Sequence, residues 1–279
     1  MIPPIANRFV AGESSETALN HTRLMNDDDV GVILNLLGEH YDEPEPAKAD
    51  ADAYIDLVSE IDDNDYTACI SVKPSQIGMD ISDNLFVKNF RRIVEHAHKH
   101  DVFVWCDMED ADTTDVTLDS FIQLATEYHW TVGQCVQANL KRTSADLERM
   151  VNVPGHIRLV KGAYDEPGSI AYTDKEQINK EYKAGLEYLF KQREQGIAVG
   201  SHDPKMIELA HNLGTKHDAE YEIQMLMGVR EDAQRQLAAD GVPMWQYAPY
   251  GDKWLSYFYR RIRERKENAL FAARAVLGV

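Results

Sequence analysis

Two adjacent arginines, Arg260 and Arg261, lie near the carboxyl end of the chain in the segment YFYRRIRERKEN, residues 257–268. In a helix, residues three, four and seven apart share a face, so Tyr257 and Glu264 would lie beside the arginine pair. Two guanidinium groups presented in this way can bind a carboxylate or a phosphate through paired hydrogen bonds. A solvated basic face is the more common role of such a pair. The elements that position these side chains decide between the two roles.

Eight apolar segments of strand length run through the chain, with helical patterns between them. They are residues 30–39, 68–75, 102–110, 132–140, 157–164, 197–203, 221–228 and 244–251. Such segments are typical of strands buried on both faces of a parallel sheet. One helical pattern begins after Ser82, and another, residues 173–196, has Gly196 as its candidate C-cap. The alternation predicts an α/β fold, namely a (β/α)8 barrel of the TIM type with an all-parallel sheet and a C-terminal helix that carries the arginines.

A doubly wound sheet is the structural alternative, but no glycine-rich nucleotide-binding fingerprint follows any predicted strand. The length of 279 residues allows one barrel or two smaller domains, and the eightfold alternation favours a single barrel over residues 1–279. The chain carries 47 Asp and Glu against 29 Lys and Arg, a net charge of -18, which argues against nucleic acid as a partner. No apolar run could span a bilayer, no signal peptide is evident, and the three cysteines lie in apolar runs. These features predict a cytoplasmic protein.

Polar side chains lie at or near the carboxyl end of every predicted strand. In chain order they are Glu39, Lys73, Asp107, Glu109, Asp110, Gln137, Arg158, Lys161, His202, Asp203, Gln224, Tyr247 and Tyr250. The carboxyl ends of the strands form the active-site face of a TIM barrel, so we expect these groups to converge. Each one alone also has a structural explanation, such as capping or a buried hydrogen bond. Lys161 could instead form a Schiff base, as in barrel aldolases.

The segment CDMEDADTTD contains three carboxylates in four residues, a pattern that can indicate a divalent metal site. Strand alternation, however, sends Asp107 and Glu109 to one face and Asp110 to the other. No histidine or further acid follows at ligand spacing. We therefore expect no metal site in this protein.

Several longer blocks of sequence resemble the proline dehydrogenases, and the short monofunctional bacterial members most of all. The blocks are ISVKPSQIGMDIS, DMEDADTTDVTLD, VQANLKRTSADL, IRLVKGAYDEP, SHDP, IQMLMGVR, YAPYG and YFYRRIRERKEN, in this order. The resemblance implies an FAD-dependent oxidoreductase that converts L-proline to Δ1-pyrroline-5-carboxylate by hydride transfer to flavin N5, the first step of proline catabolism. Since no cysteine or histidine matches a flavin attachment motif, we expect the FAD to be non-covalent.

The same resemblance implies roles for individual residues around the substrate. Lys73, Arg260 and Arg261 would bind the substrate carboxylate, with Asp107 in the same polar network. Three side chains would pack around the proline ring, namely Tyr247, Tyr257 and Leu226. Glu39 would pair with Arg260 when the site closes. The cofactor would contact Gln137, Arg158, Lys161, Gly162, Ala163, Ser201, His202 and Glu264.

The resemblance also extends to partners. It implies a membrane quinone as electron acceptor, hence a peripheral position at the inner face of the membrane, and a pyrroline-5-carboxylate dehydrogenase as a metabolic partner. The chain departs from the family pattern at Ser201, where threonine is common, and at Asn139 and Pro74, where tyrosine and leucine are usual. The resemblance also implies that residues 1–279 form a single catalytic domain with little or no N-terminal extension. A Schiff-base aldolase that uses Lys161 and a non-catalytic binding barrel remain as alternative functions.

Overall fold

The structure, a computed structural model, describes residues 6–255, in which eight parallel strands close into a barrel in sequential order. The strands are β1 Gly31–Leu36, β2 Ala68–Val72, β3 Val104–Cys106, β4 Val132–Gln137, β5 His156–Val160, β6 Ile197–Gly200, β7 Tyr221–Leu226 and β8 Met244–Tyr250. The helices are α1 Ser15–Asn26, α2 Pro44–Asp63, α3 Asp83–Lys99, α4 Thr114–Glu127, α5 Thr143–Met150, α6 Lys175–Gln192, α7 Pro204–His217 and α8 Glu231–Ala239.

This arrangement confirms the predicted TIM-type barrel, because each apolar segment coincides with one strand to within one residue at its start or lies around it, and β8 pairs with β1 to close the sheet. The predicted C-terminal helix with its arginines lies outside the described residues. That residues 1–279 form one catalytic domain stays a prediction. Of the helices within residues 6–255, none combines the length and apolar character needed to cross a membrane.

Helix α3 shows why the sequence folds into this outer layer. Phe86, Phe90, Ile93 and Val94 recur at helical spacing, and all four are fully buried against the barrel. Each such side chain stabilises the fold by roughly 1.5 to 3 kcal/mol relative to an exposed position. The Ser82 side chain accepts a hydrogen bond from the Leu85 N–H and fixes the start of the helix, as predicted.

The interior of the barrel combines large and small side chains. Trp105 of β3 packs inside the barrel with Ile33 and Cys69. Ala198 and Gly200 of β6 contribute almost no volume there. A Cβ added at Gly200 would lie 2.6 Å from a Val160 methyl group, so the position has no room for a side chain. The small residues on β6 leave space in which long polar side chains from β5 and β7 can meet.

Helix α6 ends earlier than the sequence suggested, so the prediction of Gly196 as its C-cap is wrong. The helix ends at Gln192, and the capping residue Arg193 is already extended, with φ -130°. The Arg193 guanidinium donates to the Val151 carbonyl at 2.8 Å and holds the chain in this extended course. Gly196 has φ +74° and forms the turn into β6, a conformation that favours glycine.

Tyr54 on α2 connects the helix to the barrel through a fully buried hydroxyl group. The hydroxyl accepts hydrogen bonds from the Asn35 side-chain amide at 3.2 Å and the Leu36 N–H at 3.1 Å, and it can donate to the Ser71 carbonyl at 2.9 Å. Its removal would take an acceptor from the Leu36 N–H and from the Asn35 amide, which would keep only the Ser71 carbonyl. Buried donors that lack an acceptor cost about 1 to 3 kcal/mol each.

We therefore expect Tyr54→Phe to lower the free energy of unfolding by about 2 to 3 kcal/mol, measured by urea denaturation. Tyr182→Phe is the matched control, because Tyr182 is equally buried but its hydroxyl donates to a carbonyl, that of Leu159, at 3.2 Å. The control should lose only about 1 kcal/mol. Equal losses in the two variants would contradict the role assigned to the Tyr54 hydroxyl.

Candidate active site

Asp107 is the centre of a buried polar cluster at the carboxyl ends of the strands. It follows β3 directly, and its carboxylate accepts hydrogen bonds from the Lys73 ammonium at 3.2 Å, the Tyr247 hydroxyl at 2.7 Å and the Ser71 hydroxyl at 2.9 Å. The Arg158 guanidinium forms a close ion pair with the same carboxylate. Four strands, β2, β3, β5 and β8, thus bring their polar side chains to one point, as the sequence predicted.

The charge state of this cluster follows from the contacts. Burial alone would raise the pKa of Asp107, but Lys73 and Arg158 outweigh it and lower the pKa to about 2. Burial likewise opposes the charge of Lys73, yet Asp107 and nearby tyrosines raise the pKa of Lys73 well above its ordinary value. Burial, and then Asp107, raise the pKa of the Tyr247 phenol, which stays protonated. At neutral pH the ionised Asp107 carboxylate therefore lies between two cations, Lys73 and Arg158, and both cations carry N–H donors that suit an anionic ligand.

Arg158 is held on several sides at once. Its guanidinium carbon lies 4.7 Å from the centre of the Trp105 ring and 5.7 Å from that of Tyr247. Its Nη1 atom donates to the Gln224 side-chain oxygen at 3.0 Å. Together with the ion pair to Asp107, these contacts fix the plane of the guanidinium. A cation held so rigidly can present its charge to a ligand without reorganisation.

Glu109 organises a second polar network beside the first. Its carboxylate accepts from the Ser75 backbone N–H at 2.7 Å and from the Ser75 hydroxyl at 2.9 Å. The Tyr164 hydroxyl also approaches it, at 3.4 Å. The Gln137 side-chain amide donates to the Glu109 carbonyl at 2.8 Å and accepts from the Ala163 N–H at 3.3 Å. Gln137 therefore links the ends of β3, β4 and β5.

A cavity of about 610 Å³ opens beside β4 and β5, and its lining includes Asn139, Gly162, Ala163, Tyr164 and Tyr172. Gly162 has φ +108°, and a Cβ there would lie 2.1 Å from the Asn139 side-chain oxygen. That oxygen is buried and has no hydrogen-bond partner among the described residues. Gly162 therefore has no room for a side chain, and the cavity is lined by main chain at this point.

The end of β6 contributes a further edge of this region. The Lys161 ammonium lies 3.0 Å from the Asp203 carboxylate, and the Asp203 N–H donates to the Ser201 hydroxyl at 3.2 Å. The Nε2 atom of His202 accepts a hydrogen bond from the Leu226 N–H at 2.8 Å. Asp203 also caps the following helix α7. Lys161 thus has an ion-pair role, which gives no support to a Schiff base.

The structure therefore brings the described predicted residues into two adjoining groups. One surrounds Asp107 and consists of Lys73, Asp107, Arg158 and Tyr247. The other lies along the ends of β4 to β7 and consists of Gln137, Lys161, Gly162, Ala163, Ser201, His202 and Leu226. Glu39 lies three residues beyond the end of β1. Four predicted residues fall outside the described part of the chain, namely Tyr257, Arg260, Arg261 and Glu264. Within residues 6–255, no group of three or more His, Cys, Asp or Glu residues is arranged to hold a metal ion.

Sequence reasoning gave no role to Ser71, Tyr164 or Gln224, all of which contact the site. Ser71 precedes Lys73 by two residues, so strand alternation places both on the barrel interior, and this signal was available. Gln224 was noted as a polar residue near the end of a strand, but its contact with Arg158 depends on the small residues of β6. The contact of Tyr164 with Glu109 joins two loops and leaves no pattern in the sequence.

The chain is similar to known proteins over nearly its whole length. The sequence model of the family described as "Proline dehydrogenase" matches residues 18–274. Proline dehydrogenase of Deinococcus radiodurans is 37% identical over 98% of this chain and 90% of its own length. Proline dehydrogenase 1 of Bacillus subtilis strain 168 is 32% identical over 98% of this chain and 90% of its own length. The chain therefore spans nearly the full length of these relatives.

Solved structures agree in fold. Proline utilization A from Bdellovibrio bacteriovorus, inactivated by N-propargylglycine, superposes with a TM-score of 0.86 at 22% identity, over 94% of this chain and 33% of that one. A proline utilization A structure from Bradyrhizobium japonicum gives a TM-score of 0.78 at 23% identity, over 96% of this chain and 32% of that one. This chain spans about a third of those proteins, and at such identity the likeness concerns the barrel alone. The family match and the two relatives show that the chain belongs to the proline dehydrogenase family.

Proposed function

We propose that this chain oxidises L-proline to Δ1-pyrroline-5-carboxylate by transfer of a hydride to non-covalently bound FAD, with the polar cluster around Asp107 as its substrate site. Membership of the family makes the chain an oxidoreductase of proline catabolism. The observation that carries the rest is the pair of cations, Lys73 and Arg158, that meets at Asp107 at the carboxyl ends of the strands. A small anion bound there would lie directly beside Arg158.

Lys73 is the described residue best placed to bind the substrate carboxylate. An ammonium group has three N–H donors, and Asp107 accepts from it at 3.2 Å, so its donors can serve both Asp107 and a substrate. The side chain keeps about 15% of its surface exposed, which leaves it accessible from the barrel mouth. By the family resemblance Arg260 and Arg261, outside the described residues, would bind the same carboxylate. Glu39 would pair with Arg260 on closure, while Leu226, Tyr247 and Tyr257 would pack around the ring.

The cofactor would lie along the ends of β4 to β6. Its contacts would be Gln137, Arg158, Lys161, Gly162, Ala163, Ser201, His202 and, outside the described residues, Glu264. The cavity supports this placement at Gly162 and Ala163, the two proposed contacts that line it. A flavin supplies a two-electron acceptor for the hydride that leaves the proline carbon next to nitrogen. Arg158 would hold a fixed positive charge at the ring, and Tyr247 would exclude water from the other side of the substrate.

The remaining parts of the proposal concern partners. A membrane quinone would reoxidise the flavin, which places the enzyme at the inner face of the membrane during turnover. A pyrroline-5-carboxylate dehydrogenase would consume the product. We further propose that residues 1–279 act as one catalytic domain in the cytoplasm. These proposals rest on the family resemblance.

The visible absorption spectrum of the purified protein tests the central proposal. We expect a flavin spectrum whose colour enters the supernatant on acid precipitation, because no cysteine or histidine of the sequence matches a flavin attachment motif. Anaerobic addition of L-proline should bleach that spectrum. A protein without flavin whose activity is lost on borohydride trapping through Lys161 would be an aldolase. A protein that binds proline but never bleaches would be a binding barrel, and either result would overturn the proposal.

A further inference from the structure

A further acidic side chain, Glu222, lies inside the barrel on the amino-terminal side of the proposed site. It is the second residue of β7, and its carboxylate accepts a hydrogen bond from the Gln224 side-chain amide. The oxygen of the same amide accepts from Arg158 Nη1 at 3.0 Å. A continuous chain of contacts therefore runs from Glu222 through Gln224 and Arg158 to Asp107. Neither the family resemblance nor the proposed mechanism gives Glu222 a role.

Strand register explains how these side chains meet. Ala198 of β6 pairs with Arg158 on one side and with Glu222 on the other, so the three residues lie in one row across the sheet with their side chains on the same face. Two residues further along the strands, Gly200 pairs with Gln224 on the same face. Because Ala198 and Gly200 lack bulk, the Arg158 side chain can reach across β6 to Gln224. The contact is thus built into the barrel and does not depend on a loop.

The chemistry of the two neighbours determines which way the Gln224 amide points. A guanidinium can only donate hydrogen bonds, and an ionised carboxylate can only accept them. The Gln224 oxygen must therefore face Arg158, while its NH2 group must face Glu222. With the amide reversed, two donors would oppose each other at Arg158. Glu222 is the acceptor that makes the observed orientation the favourable one.

Resting on the proposed function, we propose that Glu222 is a positioning residue of the active site, which fixes the Gln224 amide and thereby the orientation and effective charge of Arg158 at the flavin ring. Glu222 touches neither substrate nor cofactor in this arrangement. Its effect passes through one amide group. The chain of contacts predicts that a change at Glu222 alters the flavin before it alters the fold.

The charge of Glu222 adds a dependence on pH. Burial raises the pKa of Glu222 to about 7, against opposing effects of Gln224 and Arg158. The titratable groups that face it in the described structure are Cys69 of β2 and Arg158 of β5. Burial keeps the Cys69 thiol neutral by raising its pKa well above the ordinary value. Asp107, Lys73 and Tyr247 lie beyond Arg158. Arg158 is therefore the charged group whose charge is more or less compensated when Glu222 loses or gains its proton.

The test compares Glu222→Gln and Glu222→Leu with wild type, and uses Glu220→Gln as a control that removes one exposed charge from the start of the same strand. The flavin midpoint potential is measured by dithionite titration between about pH 5.5 and about pH 8.5, a window that spans the Glu222 pKa. This measurement needs no turnover. Steady-state kinetics with L-proline and the flavin content of each variant are measured alongside.

We expect the Glu222→Gln potential to match wild type at low pH, where Glu222 is protonated, and to become more positive than wild type as pH rises through 7. Loss of the carboxylate leaves the positive charge of Arg158 less compensated. The Glu220→Gln control should show no such rise. In Glu222→Leu, kcat/KM for proline should fall about tenfold with flavin content unchanged, since one hydrogen bond that orients a charged group is lost.

Unfolding of the flavin-free protein gives an independent check that Glu222 titrates as stated. The folded state holds a proton on Glu222 up to about pH 7, whereas the unfolded state releases it near its ordinary value of 4.5. The free energy of unfolding of wild type therefore decreases as pH rises from about 4.5 to about 7. Glu222→Gln should not show this decrease. A potential difference between Glu222→Gln and wild type that is constant with pH, or equal to that of the control, would overturn the proposal. Failure of wild type to bleach with proline would instead overturn the proposed function. In that case the dithionite titration of any bound flavin, or the pH dependence of unfolding in a protein without flavin, would still report on Glu222.

Discussion

Replacement of Asp107 by alanine is expected to lower the free energy of unfolding by about 3 to 5 kcal/mol and to reduce kcat/KM for proline by at least about a hundredfold. The carboxylate holds Lys73, Arg158, Tyr247 and Ser71 in one cluster. Without it, the buried cations Lys73 and Arg158 lose the carboxylate that both of them contact. The loss should exceed that of any single hydrogen-bond deletion, because several groups lose their partner together. Urea denaturation and steady-state kinetics measure the two effects.

The pH dependence of stability gives a second measurement on the same residue. Asp107 has a pKa of about 2 in the folded state, against 3.8 as its ordinary value. Its contribution is therefore fully present above the higher value and is lost as pH falls through the lower one. This shift corresponds to about 2 kcal/mol. When the free energy of unfolding is measured at decreasing pH, Asp107→Ala should not show this loss. The same decrease in wild type and variant would contradict the ion pairs assigned to Asp107.

Two controls separate the cluster from a general effect of charge. Asp119→Ala removes an acid from an exposed ion pair with Arg149, and we expect a change below about 1 kcal/mol. Adding Lys73→Met to Asp107→Ala should recover part of the lost stability, because one unpaired cation is removed as well. Strict additivity of the two substitutions would mean that Lys73 and Asp107 do not act as a pair.

The fold could be predicted from the sequence because the information lies in local patterns. Apolar segments such as residues 132–140 contain a strand buried on both faces, here Val132–Gln137, and their number and spacing leave few topologies open. The boundary at Gly196 could not be predicted in this way. The end of α6 depends on the Arg193 side chain, which binds the Val151 carbonyl, a contact between residues 42 positions apart.

The residues of the site also differ in how far the sequence predicts their positions. Lys73, Asp107 and Tyr247 lie at strand ends, so topology alone predicts that they converge. Glu222 lies near the start of its strand, where a polar residue reads as a surface position. Its contact with Arg158 through Gln224 depends on strand register and on the absence of bulk at Ala198. Such contacts follow from the three-dimensional arrangement, and no spacing rule for one strand contains them.

Tyr247 should determine which ring the enzyme accepts. Its ring lies against Arg158, and its hydroxyl donates to Asp107 at 2.7 Å, so the side chain is fixed at the proposed pocket. A substrate with an added hydroxyl would meet this fixed ring, and overpacking of a filled pocket costs roughly 1 to 3 kcal/mol. We expect wild type to prefer L-proline over trans-4-hydroxy-L-proline by about tenfold to a hundredfold in kcat/KM.

Two substitutions distinguish the volume of Tyr247 from its hydrogen bond. Tyr247→Ser removes the ring and should reduce the preference for L-proline, mainly through loss of activity on proline itself. Tyr247→Phe keeps the ring and removes the hydroxyl that Asp107 accepts from. It should lower activity on both substrates about tenfold, the effect of one lost hydrogen bond to a charged group, and leave their ratio unchanged. The ratio of the two kcat/KM values is the measurement in each case.

The ratio is informative because it cancels effects that act on the whole protein. A variant that is merely less stable, or that binds less flavin, loses activity on both substrates in the same proportion. Only a side chain in contact with the substrate ring changes the ratio, since the free-energy difference between the two substrates arises at the added hydroxyl. A ratio that stays at the wild-type value in a folded, flavin-loaded Tyr247→Ser protein would place Tyr247 outside the pocket. It would then leave the residue with the structural role of binding Asp107 alone.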